Sequence, residues 1–275
     1  MTPAGLVWSA ASGAAATAAA HWLLAQRPPG GAARWTRTNH RGGAVSLLEG
    51  PAVAAGLTVA AVAGPGRSPR VRLAAATAAL GAGGLGAYDD LVGSGDSRGF
   101  RGHLGALRRG QLTSGAVKIA GIGATGLAAA AITGRRGRGL LLAGGVVAAT
   151  ANLVNLFDLR PGRAGKVALG LALLDGRGSD DASRLAATVA GCALAALPSD
   201  LGERSMLGDA GANALGAVLG VAAAAGDTSD ARLALRLALL TGLTLASEKV
   251  SFTSVIESTP GLRELDRVGR RPTTA

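Results

Sequence analysis

Apolar stretches recur nine times along the chain, at roughly 3–25, 44–64, 71–88, 113–133, 139–157, 166–175, 184–198, 207–225 and 231–247. Several reach the ~20 residues that a helix needs to cross a hydrocarbon core, whereas 166–175 and 184–198 are short. Small residues recur at helical spacing within them, as at Gly121, Ala124 and Ala128, or Ala212, Gly216 and Gly220. Such faces make a poor core in water, but in lipid they let helix backbones approach and associate by packing. The pattern predicts an all-α, polytopic integral membrane bundle of about nine transmembrane helices.

Composition narrows this further. The 275 residues are 48% hydrophobic and 16% charged, against the roughly one-quarter charged residues of a soluble chain. There are 44 glycines but no triplet period, which excludes collagen, and the long apolar runs argue against disorder. The single cysteine, Cys192, excludes an internal disulfide framework and a cysteine-based metal cluster.

The net charge is +11, and its distribution sets an orientation. Ala18-Ala19-Ala20 resembles a signal-peptide cleavage site, yet no Lys or Arg precedes the first stretch, and Arg27, Arg34, Arg37 and Arg41 follow it. That order fits a retained first helix with the N-terminus outside and the following loop in the cytoplasm. Arg67, Arg70 and Arg72, with Arg135, Arg136 and Arg138, run against this polarity. Two segments read as amphipathic and suited to anionic headgroups. Residues 94–112 set Phe100, Leu104 and Leu107 against Arg101, Arg108 and Arg109. The stretch from Pro260 sets Leu262, Leu265 and Val268 against Arg263, Arg267 and Arg270. Basic residues in short loops without interleaved aromatics are a poor match to nucleic acid, so no nucleic-acid partner is expected.

Carboxylates at the ends of apolar spans are costly and mark a site. Asp89-Asp90, Asn152/Asn155/Asp158, Asp209, and Glu248 with Glu257 all fall at cytoplasmic helix ends under the nine-span count. Together they make an oxygen-rich site for a hard cation, and Mg²⁺ favours a few carboxylates with waters and substrate phosphates. Lys118, Arg160, Arg163 and Lys166 share that face and are placed to neutralise a diphosphate. A metal on a diphosphate with a carboxylate orienting the attacking group is the logic of phosphoryl transfer.

In order along the chain, the motifs resemble the polyprenyl-phosphate N-acetylhexosamine-1-phosphate transferases. They are Trp35 to Val45 with Asn39 and His40, Gly86-Ala-Tyr-Asp89-Asp90, Asn152-Leu-Val-Asn155-Leu-Phe-Asp158, and Met206-Leu-Gly208-Asp209-Ala-Gly211. The resemblance implies a cell-envelope enzyme of the inner membrane, multi-pass, with its active site facing the cytoplasm. It would transfer a sugar-1-phosphate from a UDP-sugar to a polyprenyl phosphate, with Mg²⁺ as cofactor, and release UMP. By that resemblance Asp89 or Asp90 would deprotonate or orient the lipid phosphate, and Asp209, with Asp89, would bind Mg²⁺. Asn152, Asn155 and Asp158 would hold the nucleotide or its diphosphate, and Lys118 looks like the family's phosphate-binding lysine.

Residues 1–247 would form the transmembrane catalytic bundle and 248–275 a cytoplasmic amphipathic C-terminal segment, with a homodimer allowed. The chain also departs from the family pattern. Leu159-Arg160-Pro161-Gly162-Arg163 stands where a second Asp-Gly is usual, and Ser247 to Glu257 stands where a His-rich loop is usual. Glu49 replaces a small residue. A catalytically altered member that binds polyprenyl phosphate, or scaffolds cell-wall enzymes, is the alternative reading.

Overall fold

The computed structural model describes residues 2–39, 41–64, 66–93, 113–176, 180–227 and 229–272. Its elements are α1 (Pro3–Gln26), a 3-10 turn (Ala32–Trp35), β1 (Thr36–Thr38), β2 (Ala44–Ser46), α2 (Glu49–Ala63), α3 (Pro69–Val92), α4 (Ser114–Ile132), α5 (Gly137–Leu156), α6 (Arg163–Asp175), α7 (Asp180–Leu201), α8 (Gly208–Gly226), α9 (Asp230–Ser247), α10 (Phe252–Ser258) and α11 (Leu262–Arg267). Each of the nine apolar stretches coincides with a helix. The amphipathic stretch at 94–112 and His40 lie outside the described residues.

Local chemistry accounts for several starts. Pro3 and Pro69 sit in the first turns of α1 and α3, where a missing N–H costs nothing. Thr113 caps α4 by accepting the Ala116 N–H at 3.1 Å. The stretch expected to be helical from residue 44 begins differently. Residues 44–46 pair antiparallel with 36–38, Thr36 opposite Ser46 and Thr38 opposite Ala44, so the helix starts only at Glu49. The β-branched run Thr36, Thr38 and Val45 suits that hairpin.

Helix α8 is the axis of the bundle. It touches α2, α3, α4, α5, α6 and α7, and sixteen of its 19 residues are buried, as a helix apolar on every side requires. Close approach depends on small residues. A Cβ on Gly216 would lie 2.6 Å from the Ala151 Cα of α5, so a side chain there would push the two helices apart.

Helices α4, α5, α7 and α8 are long and apolar enough to cross a membrane. With 15 and 13 residues, α2 and α6 fall short of the ~20 needed. The outer surface is apolar: Val59, Leu73, Leu80, Leu141, Leu173 and Leu235 are each more than half exposed. A surface of this kind is stable against lipid tails and sticky in water. The chain is therefore an all-α helical bundle of membrane character.

Candidate functional site

The site assembles around the N-terminus of α8. Gly86, one turn before the end of α3, lets the two helices meet: a Cβ there would lie 2.6 Å from the Ala210 nitrogen. The last turn of α3 is thereby laid across the first turn of α8. The two carboxylate oxygens of Asp90 accept the backbone N–H groups of Asp209 and Ala210, each at 3.0 Å. Asp90 thus caps α8 from another helix and places negative charge at the positive end of its dipole. Arg37 of β1 steadies the same turn by donating to the Asp90 carbonyl at 2.6 Å.

Beside this cap, Lys118 of α4 stands between two acids. Its Nζ lies 2.7 Å from Asp89 Oδ2 and also donates to Asp209 Oδ2. Three helices therefore deliver two carboxylates and one ammonium to a single point. Two carboxylates supply hard oxygen donors of the kind Mg²⁺ takes, although here the Lys118 ammonium stands against both. Among the described residues, no group of three or more His, Cys, Asp or Glu side chains is arranged to hold a metal.

Asp158 follows the end of α5 and closes the acidic side. Desolvation, then the charges of Asp200, Asp209 and Asp90, push its carboxyl well above the ordinary carboxylate range, against a smaller opposing effect of the Gly208 N–H. Asp158 lines a cavity of about 150 Å³ with Thr38, Asn39, Arg160, Asp200 and Glu203. Asn39 is held there by donating to Glu203 at 2.9 Å, while its Oδ1 accepts the N–H groups of Arg41 and Gly43. Lys118 itself lines a groove of about 360 Å³ between α4, α5, α8 and α9. Its wall is apolar at Ile119, Ile122 and Ala148 and becomes polar at Lys118, Asn152 and Asn155. Asn152 ties α5 to α9 through the Thr244 hydroxyl at 3.0 Å.

Asp89, Asp90, Asp158, Asp209 and Lys118 are thus brought together, with Asn39, Asn152, Asn155 and Arg160 lining the flanking spaces. Arg163 and Lys166 are not at this point. Arg163 is buried and makes a bidentate pair with Asp266, at 2.9 and 3.1 Å, plus a bond to Thr253 at 2.8 Å. Lys166 donates to the carbonyls of Leu265, Asp266 and Val268. Both side chains fasten α10–α11 to α6 rather than facing the acids, so the segment after 247 is clasped to the bundle.

Three acids outside the expected site belong to the neighbourhood. Asp200 accepts the Gly162 N–H at 3.0 Å, and Glu203 pairs with Arg41 at 3.3 Å. Glu49 is 1% exposed and accepts the Ser205 hydroxyl. Asp200 carried the same signal as the others, an acid at the end of an apolar span. Comparison of the chain with protein-family models and with curated proteins finds no match.

Proposed function

We propose that the protein is a Mg²⁺-dependent phosphoglycosyl transferase of the cell membrane, moving a sugar-1-phosphate from a UDP-sugar to a polyprenyl phosphate and releasing UMP. The observation that carries this reading is the meeting of Asp89, Lys118 and Asp209, from three helices, at the polar end of an amphiphilic groove. The groove suits an amphiphile with an anionic head: chain along Ile119 and Ile122, phosphate at Lys118 and the two asparagines. The cavity beside Asp158 and Asn39 suits the polar nucleoside.

Asp89 and Asp209 would hold Mg²⁺, which when bound supplies charge neutralisation for a diphosphate. Lys118 turns from the acids to a phosphate oxygen, contributing a charge-assisted hydrogen bond. Asp89, whose oxygens accept no backbone N–H among the described residues, orients the lipid phosphate. Asp90 holds the geometry as the cap of α8. The other apolar helices complete the bundle in the same bilayer, with the N-terminus outside and the site at the cytoplasmic face.

The test is release of UMP by the purified protein with Mg²⁺, a polyprenyl phosphate and a panel of UDP-sugars. UMP release abolished by Asp209→Asn is the expected result, and silence across the panel overturns the reading. A second reading, a lipid-phosphate binder without transfer, is favoured by the way Lys118 already engages both carboxylates. It predicts polyprenyl-phosphate binding without UMP.

A further inference from the structure

A basic cleft of about 570 Å³ lies beyond the acidic cavity, lined by Arg41, Arg160, Arg267, Arg270 and Arg271 with Glu203 and Glu257. Two of these arginines are committed. Arg41 pairs with Glu203 and donates to the carbonyls of Arg271 and Pro272, and Arg270 bonds Asp266 at 2.6 Å and the Pro161 carbonyl at 2.9 Å. Arg267 and Arg271 are exposed, and no carboxylate among the described residues pairs with either. A concave surface with more arginines than carboxylates and two unpaired guanidinium groups concentrates anions, and guanidinium matches phosphate oxygens bidentately.

On the other side of α11 lies an almost wholly apolar groove of about 410 Å³, with Phe157, Leu243, Phe252, Val255 and Leu265 in its walls. Phe157 and Phe252 stack at 5.2 Å. The two spaces share one partition, because Asp266 lines the groove and is bonded to Arg270, which lines the cleft. Around them Leu262, Leu265 and Val268 are 46–61% exposed. Exposed apolar residues beside unpaired arginines on a short helical hairpin suit a membrane–water interface.

We infer that α10–α11 form a binding site for an anionic phospholipid of the bilayer, its phosphate on Arg267 and Arg271 in the cleft and an acyl chain in the groove beside Phe252 and Leu265. Cleft and groove explain each other only through an amphiphile. A soluble phosphate would leave the groove unused, and a zwitterionic lipid would bring its own cation against the arginines beside its phosphate, so a headgroup of net negative charge fits better. The site is separate from the Lys118 groove and does not depend on the transferase reading.

The experiment compares full-length protein in nanodiscs of phosphatidylcholine and in nanodiscs with part of it replaced by phosphatidylglycerol. Amide hydrogen exchange over residues 252–268 is the measurement. Phosphatidylglycerol is expected to slow exchange there roughly tenfold or more, and Arg267→Gln/Arg271→Gln to remove that slowing without altering exchange in phosphatidylcholine. Leu265→Gln, with the charges intact, is expected to weaken the effect and leave its salt dependence. Equal protection in both lipids overturns the inference, as does full slowing in the double arginine variant. Inorganic phosphate that reproduces the slowing in phosphatidylcholine also overturns it, by showing a site for the ion rather than the lipid.

Discussion

The two ends of α8 are both charged, in opposite senses, and they use charge differently. At the C-terminal end Arg135 donates to the carbonyl of Ala224 at 2.8 Å and to that of Asp227. Nearby in kind, Arg67 and Arg72 donate to the carbonyls of Ala60 and Val62 at the end of α2. These are basic residues that run against the orientation rule, and the structure gives them a local role. They satisfy helix-end carbonyls and the negative pole of the dipole. At the N-terminal end one carboxylate, Asp90, does the equivalent capping. Asp89, Asp158 and Asp209 remain beyond what the cap requires. Acidic groups in excess of what the cap needs are what separate a candidate site from a well-made helix end.

Exchanging one charge at each end tests that contrast. Asp209→Asn is expected to lower UMP release by about 100-fold or more while leaving the thermal midpoint near wild type. A similar loss from Arg135→Gln at the opposite end would erase the distinction. Arg135→Gln should instead cost about 1–2 kcal/mol of stability, read as a lower unfolding midpoint, with turnover per folded molecule preserved.

Asp90→Asn is the sharper case. It keeps one of the two acceptors, sets an NH2 against the other helix N–H and loses the charge, so the expected destabilisation is about 1–3 kcal/mol, and more turnover per folded molecule should survive than in Asp89→Asn. The reverse ranking would make Asp90 the reacting acid.

The smallest effect concerns the clasp. Burial raises the Asp266 carboxyl, but the hydrogen bond from Arg163 and the charges of Arg163, Arg270 and Lys166 outweigh it and hold the group below its ordinary value. A depressed carboxylate stabilises the fold above its unfolded value near ~3.9, and that contribution is lost as pH falls through the lower folded value. Protection factors over 252–268, that is exchange corrected for its intrinsic pH dependence, should therefore be flat between neutral pH and about pH 5 and fall below about pH 4. Asp266→Asn should exchange faster at neutral pH and lack the acid step.

Much of the helical framework was legible in the sequence, because apolar runs report where backbone must be satisfied internally. The stretch 113–133 is α4, Ser114–Ile132, and 231–247 is α9, Asp230–Ser247. The hairpin at 36–46 was not legible, since three-residue strands leave no periodicity to read. The grouping of Asp89, Lys118 and Asp209 was anticipated from motif order. The use of Arg163 and Lys166 was not, because their partners lie about a hundred residues further on. A basic residue beside an acidic site looks like a phosphate ligand until its actual carboxylate is known.

The cleft between Arg41 and Arg271 also bears on biogenesis. Its walls are residues separated by 230 positions, joined where Arg41 donates to the Arg271 carbonyl. During synthesis the first wall emerges just after α1 and waits while the helices between are made, and the second arrives only after all of α2 to α11. Among the surfaces described, this cleft is a late one to exist on the growing polypeptide. A nascent chain stalled before α11 would carry the assembled acids at α8 but leave the basic cleft unformed.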